Sequence, residues 1–297
     1  MPHASSTLPL RLYAKAKSPG VWNPRDFDLT QDILDWQWLN DNERDLVLRL
    51  TSMFQAGAET ITHELSPLIT VIAAEGRREE ETYLTTCLAD ETKHADFFRR
   101  LLNEVVRGGI DPSTGKPLDL TRYHTANYRA LFYEALPRAL RRLRTDASPA
   151  AQAQAAVTYH LIGAGVLAET GYHAYLAALE KNGLLPGACK AIHGLQQDEA
   201  RHVAYGVYLL ARLVAADDRL WQAVEAKANE LLPLALGIIG DACASYAAPP
   251  FGLRRVNFAG DANARFQKRL ARLARARGQT LDAIVRATRA VIEQDDV

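Results

Sequence analysis

Little in this 297-residue chain points toward a membrane, a disulfide scaffold or a charged polymer. No apolar run approaches the roughly 20 residues that a bilayer crossing needs. Formal charge is balanced at 35 basic and 35 acidic residues, so the electrostatic footprint of a nucleic-acid or anionic-surface protein is missing. The three cysteines, Cys87, Cys189 and Cys243, are widely spaced, form no Cys-x-x-Cys pair and read as reduced thiols. Met1 to Pro9 is polar and lacks a signal-peptide core, from which a cytoplasmic location is expected. No stretch alternates convincingly as a strand.

Helical periodicity fills the space these absences leave. After an irregular start carrying Pro9, Pro19, Gly20 and Pro24, helices are expected at about 43–75, 78–107, 122–145, 149–181, 185–213 and 217–247. Short turns such as Gly108-Gly109-Ile110-Asp111-Pro112 and Gly183-Leu184-Leu185-Pro186 separate them. The expected fold is all-α, a bundle of long antiparallel helices over residues 1–250. Pro249-Pro250 closes that body, and 251–297, helical over 262–294, reads as a tail that packs on the bundle or on a dimer partner.

One phrase appears twice: Asp90-Glu91-Thr92-Lys93-His94 and Asp198-Glu199-Ala200-Arg201-His202. Three residues turn a helix by about 300°, so each Glu and its His share a face and can grip one ion. The first lies on the apolar stripe Leu84, Leu88, Glu91, Ala95, Phe98, Leu102; the second on Ile192, Leu195, Glu199, His202, Gly206, Leu209. A lone Glu-x-x-His is ordinarily an ion pair or a solvated face. Two copies on inner stripes are costly without a cation, and they form half the ligand set of a carboxylate-bridged di-iron or iron/manganese bundle. Asp90 and Asp198, one residue earlier, read as partners that cap, pair or orient.

Such a bundle takes one inward Glu from each of its two remaining helices. On 43–75 the stripe Leu50, Phe54, Ala58, Ile61, Leu65, Leu68 puts Ala58 at that place, with Glu59 rotated by about 100°. On 149–181 the stripe Val157, Leu161, Ala164, Ala168, Gly171 is again centred on alanine, and Glu169 lies more than a turn away.

Nearly end to end, the chain resembles the ligand-binding oxidases that are similar to ribonucleotide reductase small subunits, a ferritin-like helix-bundle family with a manganese/iron or di-iron centre. The likeness rests on Trp22-Asn23-Pro24-x-Asp26-Phe27-Asp28, Phe54-Gln55-Ala56-Gly57, Leu84-Thr85-Thr86 and the two Glu-x-x-His turns. It continues in Phe132-Tyr133-Glu134-Ala135-Leu136-Pro137, Thr158-Tyr159 and Leu167-Ala168-Glu169-Thr170-Gly171-Tyr172. It implies metal ligands at Glu91, His94, Glu199 and His202, and terminal Glu ligands where this chain has Ala58 and Ala164. It also implies an ether-crosslink pair matched by Tyr159 and Ile61, where isoleucine replaces valine but keeps a tertiary Cβ–H. A long-chain fatty-acid ligand and a homodimer belong to the same resemblance.

Two missing carboxylates leave two divalent ions with about two uncompensated charges in a low-dielectric interior. Three outcomes stay open: one ion on the four retained ligands, two ions completed by an outside anion, or no functional metal. His160, one turn before Ala164, and Glu59 with His63 on the opposite helix are possible substitutes. The function that follows is an oxygen-activating iron or manganese oxidase or oxygenase acting on a hydrophobic small molecule. The alternative is a lipid-binding protein whose metal chemistry has lapsed. A ribonucleotide reductase subunit ranks below both, because no aromatic residue follows Phe266 to serve a docking relay.

Overall fold

The computed structural model describes residues 7–17, 21–106, 115, 119–244, 246–253, 255–280 and 282–286. Among them there is no strand, and no helix is long and apolar enough to cross a membrane. Among the described residues ten helices carry the fold: α1 (Leu8–Ala16), α2 (Thr30–Trp38), α3 (Asp41–Glu64), α4 (Ser66–Ala74), α5 (Arg78–Glu104), α6 (126–142), α7 (149–179), α8 (Pro186–Ala216), α9 (Leu220–Ala244) and α10 (Arg255–Ala274). α3 lies along α5, and α7 packs on α8 and α9. α3, α5, α7 and α8 bring the expected site positions into one core, which α10 flanks by packing on α7 and α9.

Two elements correct the expected map at its start. Before residue 41, residues 8–16 and 30–38 are helical rather than irregular: Pro9 sits in the first turn of α1, where its missing N–H costs nothing. α2 hides from a periodicity search because its polarity is inverted. Its buried residues are Asp32 and Asp35, while Leu34 and Trp38 face outward. The two aspartates have a task. Asp32 accepts from the Gly187 and Ala188 amides at 2.8 and 2.7 Å, and Asp35 accepts from Leu185 N at 2.8 Å, so α2 satisfies the free donors at the head of α8.

The expected 43–75 helix is two, since the chain turns at Leu65 and Pro67 occupies the first turn of α4. Asn40 and Glu43 form a reciprocal cap on α3, and Ser148 caps α7 ahead of Pro149. α6 and α7 are helical over most of their expected ranges but change pitch inside. Arg129–Ala135 and Val157–Ala168 follow i→i+5 hydrogen bonding, with α-helical turns on either side. The second of these wide segments carries Tyr159, His160 and Ala164. Cys87 and Cys189 are buried free thiols, as expected.

Candidate metal centre

α5 and α8 place their Glu-x-x-His turns face to face. Glu91, His94, Glu199 and His202 are all buried. Glu91, His94 and Glu199 each offer a ligand atom within 4.8 Å of the others. His94 Nδ1 lies 3.8 Å from Glu91 Oε2 and 3.8 Å from Glu199 Oε1. On the other side, His202 Nδ1 lies 3.2 Å from Glu199 Oε2 and 3.6 Å from Glu91 Oε1. Each imidazole thus faces one oxygen of each carboxylate.

The aspartates that precede the glutamates cross over. Asp198 on α8 bonds His94 Nε2 at 3.0 Å, and Asp90 on α5 approaches His202 Nε2 at 3.4 Å. These bonds turn both Nδ1 atoms toward the carboxylates, which is how an outer partner orients a ligand imidazole. Lys93 ties the two aspartates at 2.8 and 2.7 Å, Arg201 contacts both, and Trp22 Nε1 donates to Asp198 at 3.1 Å. The Trp22 ring stacks on His94. The paired Asp positions were readable from the repeated phrase. The role of Trp22 was not, since a lone tryptophan between α1 and α2 carries no periodic signal.

The electrostatics of the centre favour positive charge between the two carboxylates. Burial pushes Glu199 up, and the neighbouring Glu91 charge adds to it. Burial would lower His94, but its bond to Asp198 and the nearby Glu91 carboxylate carry it up to about 9. Burial alone would raise Asp90, yet the bond to His202 and the nearby Lys93 hold it at about 2. His94 Nδ1 has no hydrogen-bond partner among the described residues although the ring is fully buried. An orphaned imidazole nitrogen costs about 1–3 kcal/mol. Aimed between two carboxylates, it fits an ion.

Tyr159, from the wide-pitch part of α7, donates to Glu91 Oε1 at 2.8 Å and sits 3.3 Å from His202 Nδ1. In a segment with i→i+5 bonding, residues four and five apart come onto one face. Tyr159 and Ala164 therefore both turn to the centre, a relation the ordinary helical period misses. Ile61 is buried on α3 and lines the cavity described next.

Beside the carboxylates lies a cavity of about 100 Å³. Ala58 and Ala164 border it together with Glu91 and Glu199. Elsewhere its wall is apolar, with Leu50, Met53, Phe54, Phe132, Leu167, Ile238, Leu253 and Phe258 among the residues that close it. The space that two terminal carboxylates would occupy is thus continuous with an apolar chamber.

None of the candidate substitutes reaches this place. Glu59 pairs with Gln55 and Arg99 on the outer side of α3, and His63 is exposed. His160 is buried, but its ring lies against Tyr159 and Tyr205, and its Cβ approaches Gly206. Burial, with the nearby His202, lowers it to about 3. Glu169 points away, to Arg265 and Arg269 of α10.

Residues 10–238 match the family model described as ribonucleotide reductase, small chain. This chain belongs to that family. Among solved structures it is similar to an R2-like ligand-binding oxidase, tyrosine-to-phenylalanine mutant, with an anaerobically reconstituted Mn/Fe cofactor: 33% identity over 91% of this chain and 94% of that one, TM-score 0.81. A valine-to-isoleucine mutant of such an oxidase, also with Mn/Fe, gives 33% identity over the same shares and a TM-score of 0.82. The small-chain fold expected from the sequence, a ferritin-like all-α bundle, is the fold observed.

Proposed function

We propose that this chain is an oxygen-using iron or manganese oxidase or oxygenase acting on an apolar small molecule, such as a long-chain fatty acid. Glu91, His94, Glu199 and His202 hold its metal. The observation that carries the reading is the unpartnered, buried Nδ1 of His94, aimed at Glu91 and Glu199 on the floor of an apolar cavity. Two carboxylates balance one divalent cation, so the retained ligands suit a single ion, and the positions vacated at Ala58 and Ala164 are left to ligand or oxygen.

A bound iron or manganese ion supplies redox chemistry with dioxygen. The protein supplies the rest. Asp198 and Asp90 fix both imidazoles, Tyr159 keeps a hydroxyl proton against Glu91, and the apolar walls exclude water and orient an alkyl chain. Tyr159 and Ile61 are the proposed crosslink pair. Joining them breaks the phenolic O–H and the Ile61 Cβ–H, forms one O–C bond and passes two electrons and both protons to dioxygen, which leaves as hydrogen peroxide. Resemblance to the family further supports a homodimer, which light scattering on the purified chain tests.

The deciding experiment loads the metal-free protein anaerobically with Fe(II) and Mn(II), counts ions by elemental analysis, and then admits oxygen. We expect about one ion per chain, oxygen consumption, and a Tyr159–Ile61 peptide lighter by two hydrogens. A chain that takes up neither metal yet retains an extractable fatty acid is instead a lipid-binding protein, a reading favoured by the two alanines. Two ions per chain would show that an outside anion completes the site.

A further inference from the structure

We propose that α10 is the outer clamp of the cavity wall and that Arg269 is its positioning residue. The inference rests on the functional reading above only for its consequence to the ligand; the clamp itself stands on geometry.

The α7 side of the cavity is lined by Gly163, Ala164, Leu167, Ala168, Thr170 and Gly171. Between these wall residues lie Gly165 and Glu169, and both are gripped from behind. Arg269 Nη1 donates to the Gly165 carbonyl at 2.6 Å, while Nη2 donates to Glu169. Arg265 donates to Thr170 Oγ1 at 3.0 Å and approaches Glu169 at 3.0 Å. The guanidinium reaches a helix carbonyl because residue 165 has no side chain: a Cβ there would lie 3.2 Å from Arg269 Nη1 and 3.2 Å from the His160 carbonyl. α10 also puts Phe258 into the cavity wall, edge-on to His173 of α7.

The grip falls on the segment that needs it. Val157–Ala168 keeps i→i+5 bonding through a dozen residues, whereas such turns ordinarily occur singly. Its pitch is what sets Tyr159 and Ala164 on one face. Relaxation toward the α period would turn Ala164 away from Tyr159 and reshape the wall, while Glu91, His94, Glu199 and His202, all on α5 and α8, stayed in place. Arg269, a charged donor on a backbone carbonyl and a carboxylate at once, holds the wider pitch.

The test uses the full chain as wild type, Arg269→Met and Arg269→Lys. Hydrogen exchange on the metal-free protein reads the clamp directly. Amides of residues 159–171 should exchange about tenfold faster in R269M, the equilibrium factor of one charge-assisted contact, and at an intermediate rate in R269K. α5 and α8 should be unchanged. A dansyl-labelled long-chain fatty acid should bind R269M about tenfold more weakly, with Mn(II) affinity held within about twofold. Exchange in 159–171 that matches wild type overturns the proposal. So does acceleration spread over the whole bundle, which would make Arg269 a general stabiliser. Should R269M fail to fold, Glu169→Gln, which removes the carboxylate anchor alone, is read by the same exchange criterion. A wild-type chain that takes neither metal nor lipid sinks the functional reading, while the exchange result still decides the clamp.

Discussion

The two halves of the centre differ in kind. α5 and α8 keep both Glu-x-x-His turns, their crossed aspartates and the basic pair Lys93 and Arg201 that ties them. α3 and α7 offer Ala58 and Ala164, and between those alanines an apolar cavity opens. One half is dense with charge, and its carboxylates, imidazoles and basic groups face one another across the two helices. The other brings no charge to the centre and opens onto apolar volume. The crossed aspartates tie α5 to α8, so under the proposed reading these two helices hold the four ligand side chains in register, with Tyr159 of α7 as the one link from the other half that reaches Glu91 and His202.

The largest effect should come from breaking the retained half. Glu91→Ala removes a carboxylate that faces both imidazoles and receives the Tyr159 hydroxyl. It should weaken Mn(II) binding, measured by titration calorimetry, by more than about a hundredfold, beyond the usual cost of losing an outer partner. Binding within tenfold of wild type would place the ion elsewhere.

Rebuilding the vacated half is the converse. With Ala58→Glu and Ala164→Glu together, four carboxylates would again balance two divalent ions, so elemental analysis should rise from about one ion per chain to about two. Fatty-acid binding should fall at the same time, because the new side chains fill the cavity. An unchanged count would mean that the wide pitch of α7 no longer aims position 164 at the metal. Next in size is Asp198→Asn, which weakens the hold on His94 and removes the charge that Lys93 and Arg201 balance. Metal affinity should drop about 10- to 100-fold, with the fold intact by circular dichroism.

The same contrast governs what could be read from the sequence. The retained half was legible because regular helices present three-residue spacing on one face, and the repeat of Asp-Glu-x-x-His pointed to its own partner aspartates. The alanines at 58 and 164 were legible as holes in the same pattern. Tyr159 beside Glu91 was not, because Val157–Ala168 departs from the 3.6-residue period, and only family resemblance singled it out. α2 was missed for a related reason: its inward residues are aspartates serving α8, so burial and hydrophobicity part company there. Where helices follow the regular period, chemistry can be placed from spacing. Where backbone geometry is traded for a site or a cap, it cannot.

The seam between the two halves supplies the smallest and most local test. α7 and α8 touch where His160 lies over Gly206, and a Cβ built on Gly206 would fall 2.0 Å from the Cβ of His160. That is a clash with the root of a side chain, so no rotamer change relieves it. Gly206→Ala must push α7 outward, at a cost of about 1–3 kcal/mol in denaturant unfolding. The displaced residue is the neighbour of Tyr159, so the 2.8 Å bond to Glu91 should lengthen and the yield of the Tyr159–Ile61 crosslink should fall. Metal affinity should fall far less, because Glu91, His94, Glu199 and His202 all belong to α5 and α8, which the crossed aspartates tie to each other. If G206A instead lost metal as completely as E91A, the retained half would depend on α7, and the independence of the two halves would be wrong.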